Sequence, residues 1–302
     1  MTNLELYSPA KVNKLLEEHD IHPKKSLGQN FLIDKNIIDK ITDSADIKFE
    51  DTVIEIGPGL GTMTIELAKR AGQVVAIELD QRMVKILRET LKERDNVCII
   101  QEDALELDYH HIISFEKVND ENDKTKNDNG LKIVANLPYY ISSPMVLKLV
   151  KEQLPIHSMV FMLQKEVADR FTAKPGTKSY GAITVILNCF YQVTPLFNVP
   201  KSVFYPSPKV ESRVIKGVRK SEPYIPWERQ AEFVQFINYA FANRRKTLGN
   251  NLVPDIVSTK QVLTNILGYY GFDSNIRGEQ LSVQEFAQIF KIIYNINRYS
   301  SK

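Results

Sequence analysis

Apolar residues along the chain change their spacing several times, and each change marks an element. Over residues 3–20 they fall at Leu6, Val12, Leu15 and Leu16, the spacing of one helix face. A loop follows over 24–32, and helix resumes near Asp34, whose carboxylate is suited to cap it. Short apolar runs then alternate with helical stretches. Residues 52–56, 73–78, 97–100, 132–136 and 158–163 read as strands. Residues 62–71 (closed by Gly72), 82–94 and 143–152 read as helices between them. Strands apolar throughout and alternating with helices predict an α/β fold with a parallel, doubly wound sheet.

Beyond the fifth strand the pattern is less decisive. The apolar run 180–191 fits a helix or a strand. Residues 192–199 and 210–218 read as late strands, a hairpin-like pair around the proline-rich stretch 200–208. After Glu222-Pro223 and Pro226 the spacing is helical over 229–242, 259–269 and 283–298. The expected organisation is a sheet domain over 1–221, with an N-terminal helical extension, and a small all-helical domain over 222–302. Residues 117–130 hold one apolar residue, Val118, and read as a polar surface insertion.

Composition adds two points. A net charge of +2 over 302 residues says little about partners, but the charge is uneven. Residues 201–220 carry Lys201, Lys209, Arg213, Lys216, Arg219 and Lys220 against one acid, Glu211, and a second cluster is Arg244-Arg245-Lys246. Such faces suit a polyanion, although Arg244 and Arg245 also suit pairing with acids across a domain interface. Cys98 and Cys189 both stand in apolar runs, so buried thiols in a reducing compartment are expected. No Cys/His spacing suggests a metal. No basic-then-apolar leader and no apolar run of membrane-spanning length is present, so a cytoplasmic location is expected.

The candidate chemistry gathers at the strand ends. Glu55-Ile56-Gly57-Pro58-Gly59-Leu60-Gly61 places glycines directly after a strand, where a ligand can approach the backbone. The spacing is G-x-G-x-G. The dinucleotide fingerprint G-x-G-x-x-G would need glycine where Thr62 stands, which disfavours a nicotinamide oxidoreductase. Glu55 can meet a ligand ammonium. Glu78, at the end of the second strand, stands where an acid receives ribose hydroxyls. Asp103, past the third, can accept from an adenine amino group. Each also has a plain reading: a charged strand end for Glu78, a helix cap for Asp103. After the fourth strand comes Asn136-Leu137-Pro138-Tyr139. An amide, a proline-fixed turn and an aromatic ring suit a flat nitrogen heterocycle, and alone they also suit an ordinary turn. Phe204-Tyr205-Pro206-Ser207-Pro208-Lys209-Val210 is a rigid loop able to present a ring.

Together these motifs resemble the ribosomal RNA adenine dimethyltransferases. The resemblance spans essentially the whole chain and includes Lys25-Ser26-Leu27-Gly28-Gln29-Asn30-Phe31-Leu32. It implies a Rossmann-like methyltransferase sheet, S-adenosylmethionine as cofactor and no metal. The implied cofactor residues are Gln29, Asn30, Leu32, Glu55, Gly57, Gly59, Gly61, Glu78, Asp103 and Asn136. Asn30 and Leu32 would cover the methionine side. Asn136, Leu137, Pro138 and Tyr139 would hold the target base, with Phe204 on its other side; Phe31 reads as core packing. Lys201, Lys209, Arg213, Arg244, Arg245 and Lys246 would contact RNA phosphates. Glu102 stands where the family often has glycine.

Within the family, the segment before Lys25 and Phe241-Ala242-Asn243-Arg244-Arg245-Lys246-Thr247-Leu248 resemble the branch acting on small-subunit rRNA. That branch dimethylates two adjacent adenosines near the rRNA 3′ end. A monomer acting on an immature small ribosomal subunit in the cytoplasm is expected. The competing readings are the large-subunit methyltransferases of macrolide resistance and a non-catalytic assembly factor on the same fold.

Overall fold

Strand β5 (Leu131–Asn136) is the middle of the molecule's main sheet, and its residues explain why. Leu131, Ile133, Val134 and Ala135 are buried, as a strand covered on both faces requires. Its one cation, Lys132, is buried too and pairs with Asp51 at 2.8 Å. The structure, a computed structural model, describes residues 6–23, 29–118 and 130–300. Residues 119–129 of the expected insertion, the start of the first helix and Lys25–Gly28 of the quoted motif lie outside the described residues.

Among the described residues, the chain runs α1 (Pro9–Glu18), β1 (Phe31–Leu32), α2 (Lys35–Ser44), β2 (Thr52–Ile56), α3 (Thr62–Ala68), β3 (Gln73–Glu78), α4 (Gln81–Thr90), β4 (Val97–Gln101) and α5 (Tyr109–Val118). After β5 come α6 (Ser142–Lys151), β6 (Ile156–Gln164), α7 (Lys165–Phe171), α8 (Ala182–Phe190), β7 (Tyr191–Val199), β8 (Phe204–Tyr205) and β9 (Ser212–Arg219). The helices α9 (Gln230–Ala240), α10 (Leu248–Leu252), α11 (Lys260–Tyr269) and α12 (Val283–Ser300) complete it. Asp34 caps α2 as expected, its Oδ1 accepting from the Ile37 N–H at 3.1 Å.

The seven-stranded sheet has the order β4-β3-β2-β5-β6-β9-β7. Strands β2 to β6 are parallel, while β9 runs antiparallel to β6, so the sheet is mixed rather than wholly parallel. The chain leaves β2 toward β3 and β4, then returns to place β5 on the other side. This reversal opens a crevice at the carboxyl ends of β2 and β5, where open α/β sheets bind ligands. A two-stranded ribbon, β1 with β8, pairs Leu32 with Phe204 and Phe31 with Tyr205.

Packing divides the chain into two compact units. The first holds residues 1–168 and 194–218, and the second 169–193 and 219–302. The organisation expected from the sequence places one division after residue 221; by packing, residues 169–193 group with the C-terminal helices. The ambiguous run 180–191 is mostly helix α8. Its Phe190 packs in the second unit's core near Phe233 and Trp227, where Phe233 and Phe236 flank Phe290 and Phe286 packs edge-on against Phe236. One expectation is corrected. Cys189 is buried, but Cys98 is exposed on β4, an edge strand none of whose side chains is fully buried.

Candidate active site

The crevice between β2 and β5 is an open cleft in the first unit. Its floor is made where two turns meet. Gly57 and Gly59 have φ of +70° and +58°, a conformation glycine adopts without penalty. A Cβ on Gly57 would stand 3.5 Å from Pro138 Cδ, so the glycine turn and the Asn136–Tyr139 turn touch. A Cβ on Gly59 would stand 3.2 Å from the Phe31 ring. Gly61 does not line the cleft; it caps α3 at φ +81°.

Three acids line one side. Glu55, on β2, is 1% exposed, and its Oε2 has no hydrogen-bond partner among the described residues. Burial pushes its carboxyl up to about 8; the neighbouring Thr64 hydroxyl works against this and the charge of Glu78 adds to it. Glu78, at the end of β3, accepts from the Gly59 N–H through Oε2 at 3.2 Å and from the Asp80 N–H through Oε1 at 2.9 Å. It therefore clamps the glycine turn to β3. Burial raises it above the usual carboxylate range, against those hydrogen bonds. Asp103 accepts from the Leu105 N–H through Oδ1 at 2.8 Å, but it opens a turn rather than capping a helix, because the next helix begins only at Tyr109. Its Oδ2 makes no hydrogen bond among the described residues and is available to the cleft.

The segment Gln29–Leu32 closes another side. The Gln29 side-chain amide donates to Asp80 at 3.0 Å, and the Leu32 carbonyl accepts from the Thr62 hydroxyl at 3.3 Å. Asp80 is held at about 2 by the guanidinium of Arg82. The Asn30 carbonyl accepts from Asn136 Nδ2 at 3.5 Å, which turns Asn136 Oδ1 away from that partner. Pro138 shapes the turn: its carbonyl accepts from the Ile141 N–H and the Ser142 hydroxyl, both at 3.1 Å. The Leu137 carbonyl accepts no hydrogen bond among the described residues. Tyr139 and Phe204 both line the cleft, and Phe204 is 4% exposed on β8.

The cleft thus brings together every predicted cofactor and base residue except Gly61. It also adds residues that the sequence reading left outside the site. Phe31 is core packing and cleft wall at once. Tyr140 is 52% exposed at the cleft, and the charges of Asp103 and Glu78 add to burial in raising its phenol. Glu102 lines the cleft as well. The sequence signal for Tyr140 was its place at the end of the stretch Asn136–Tyr140, which carries part of the family resemblance.

The predicted phosphate contacts lie elsewhere. Lys201 and Lys209 are exposed in the first unit, where the Lys201 ammonium donates to the Lys209 carbonyl at 3.2 Å. Arg213 donates to Asn198 Oδ1 at 2.7 Å. Arg244, Arg245 and Lys246 are exposed in the second unit. Arg244 donates to the Lys178 carbonyl at 2.7 Å rather than to an acid.

The family model for ribosomal RNA adenine dimethylase matches residues 21–295. The chain belongs to the ribosomal RNA adenine dimethylase family. Its enzymes are S-adenosylmethionine-dependent, and the protein is accordingly an rRNA adenine methyltransferase. Among its relatives is the ribosomal RNA small subunit methyltransferase A of Natranaerobius thermophilus, 55% identical over 98% of this chain and 100% of that protein. A protein of the same name from a Geobacillus species is 42% identical, covering 97% and 99%. A dimethyladenosine transferase from Plasmodium falciparum superposes with a TM-score of 0.70 at 26% identity, over 87% of this chain and 97% of that one. The 23S rRNA methyltransferase ErmE, at 23% identity and a TM-score of 0.64, shares the fold. No helix among the described residues is long and apolar enough to cross a membrane, and no group of three metal-ligating side chains occurs among them.

Proposed function

We propose that this enzyme dimethylates the exocyclic amino groups of two adjacent adenosines near the 3′ end of 16S rRNA, on an immature small subunit. It would act as a monomer in the cytoplasm, with a role in subunit assembly. The observation that carries the reading is the Asn136 amide, held by the Asn30 carbonyl in a cleft with acids on one side and Tyr139 and Phe204 lining it.

The donor set fits S-adenosylmethionine. Glu55 offers a buried carboxyl oxygen, unpartnered among the described residues, for an ammonium. Glu78 suits ribose hydroxyls, and Asp103 Oδ2 suits an adenine amino group. The glycine turn exposes backbone beside them, and Gln29, Asn30 and Leu32 wall the cleft. When bound, this cofactor supplies a sulfonium methyl whose C–S electron pair stays on sulfur as the adenine nitrogen forms the N–C bond.

The protein's own task is orientation. An adenine amino nitrogen is a poor nucleophile because its lone pair is delocalised into the ring. Asn136 Oδ1 and the Leu137 carbonyl are the two acceptors placed for its N–H groups, and accepting both draws the nitrogen toward tetrahedral geometry. Preorganised dipoles and proximity supply the rate. No strong base is required, and the proton leaves to solvent. Tyr139 and Phe204 stack on the flipped base, each worth roughly 1–3 kcal/mol against a flipping cost of a few kcal/mol.

Labelled methyl incorporation into unmethylated small subunits, followed by mapping of the modified bases, tests the reading. Asn136→Ala should keep cofactor affinity and lose turnover by about 100-fold or more. Near wild-type turnover in that variant would remove the amide from the mechanism. Methyl groups mapped to large-subunit rRNA would favour the macrolide-resistance type of activity, and specific binding without transfer would favour an assembly factor.

A further inference from the structure

Tyr139 is anchored by a residue that the reaction itself does not require. Its phenol hydroxyl lies 3.2 Å from the hydroxyl of Ser212. Ser212 is 1% exposed and opens β9, opposite Gln164 at the end of β6. That position is held by the ladder, which the Lys165 N–H extends by donating to the Glu211 carbonyl at 3.0 Å. Tyr139 is half-buried and lines the cleft, while Phe204 precedes Ser212 on the same stretch of chain. The Tyr139–Ser212 bond therefore ties the turn carrying one ring to the strand that follows the other ring.

We infer that Ser212 is a positioning residue, which fixes the Tyr139 ring relative to Phe204 and so matters most for addition of the second methyl. The inference rests on the function proposed above. Its physical basis is a count of hydrogen bonds. An unmodified adenine amino group has two N–H bonds for Asn136 Oδ1 and the Leu137 carbonyl. Each methyl added replaces one N–H by one N–C bond, with the proton leaving to solvent. The monomethylated nitrogen keeps a single N–H, so one of the two acceptors loses its partner. Stacking then carries a larger share of the orientation, and a ring free to turn about its own side-chain torsions holds the base less well.

The test compares wild type, Ser212→Ala, Tyr139→Phe and the double variant on unmethylated small subunits. The product ratio of dimethyl- to monomethyladenosine is read by mass spectrometry of nuclease digests, and S-adenosylhomocysteine affinity by calorimetry. Ser212→Ala should lower that ratio about fivefold, the worth of one ordinary hydrogen bond. Cofactor affinity should stay unchanged. Tyr139→Phe removes the same bond from its other end, so it should reproduce the effect, and the double variant should be no worse than either single one. An unchanged product ratio in Ser212→Ala, additive losses in the double variant, or a loss matched by weaker cofactor binding would each overturn the inference. Wild-type protein that transferred no methyl would remove the proposed function along with it, whereas normal dimethylation by Ser212→Ala would remove this inference alone.

Discussion

Glu55 and Glu66 are both buried glutamates, one at the end of β2 and the other on the helix that follows, yet they do opposite things. Glu66 lies among cations: Lys69 at 2.7 Å, Arg70 at 3.3 Å and Lys35 at 3.6 Å, with the Tyr7 hydroxyl at 3.4 Å. Burial alone would raise its carboxyl, but Lys69, Lys35 and Arg70 outweigh burial and hold it below the usual range. Among the described residues Glu55 has Glu78 as its charged neighbour, no cation acting on it, and an oxygen without a hydrogen-bond partner. A buried charge that is satisfied belongs to the fold, whereas a buried carboxyl left unsatisfied at a cleft is where a ligand's complementary charge belongs. The two residues differ in surroundings, not in type, and that difference separates architecture from chemistry.

Removing Glu66 should have the larger effect, and it should fall on stability. Glu66→Ala leaves three cations and a hydroxyl without their shared acceptor, for a loss of roughly 2–3 kcal/mol in chemical denaturation. Its S-adenosylhomocysteine affinity should match wild type, and a binding loss as large as the stability loss would collapse the comparison. Glu55→Gln should do the reverse. It keeps the shape but removes the charge, and calorimetry should show affinity about tenfold weaker with stability near neutral pH undiminished.

The pH dependence sharpens the contrast further. The folded protein holds a proton on Glu55 up to about 8, against an ordinary value of 4.5, so folding takes up a proton between those values. Stability without cofactor should therefore fall as pH rises from about 4.5 toward 8, and Glu55→Gln should flatten that slope. For Glu66, lowered in the folded state, the stabilisation is present above its unfolded value and is lost as pH falls. Binding an ammonium beside Glu55 at pH 7 should release up to about one proton, visible as a dependence of binding heat on buffer ionisation. A wild-type binding heat independent of buffer would take the ammonium away from Glu55. The smallest effect concerns the basic residues. Alanine at Lys201, Lys209, Arg244, Arg245 or Lys246 should each reduce the salt slope of rRNA binding by about 1. Unchanged slopes would place the phosphate contacts elsewhere.

Much of the site was legible because open α/β sheets put functional groups at the carboxyl ends of strands. Glu55, Gly57, Glu78, Asp103 and Asn136 all follow or end a strand with a clear apolar pattern, so finding the strands found the residues. What stayed out of reach lies on elements whose periodicity is weak or whose partner is distant. Cys98 sits in an apolar run, and nothing in that run says its strand is an edge. Phe31 reads as core by composition and is core, but its place against Gly59 depends on a two-residue ribbon pairing it with Tyr205. Residues 169–193 precede the late strands in the chain, yet α8 brings its apolar face to the C-terminal helices.

The sequence by itself determined the alternation of strands and helices, the glycine turn, the order of the acids and the Asn136–Tyr139 turn. These are local matters of period, backbone freedom and donor type. Only the tertiary structure decided which of two buried glutamates is satisfied. It alone brought the Asn30 carbonyl to Asn136 and Ser212 to the hydroxyl of Tyr139. Those partners are far apart in the chain, and their meeting depends on strand order and register, which no local pattern encodes.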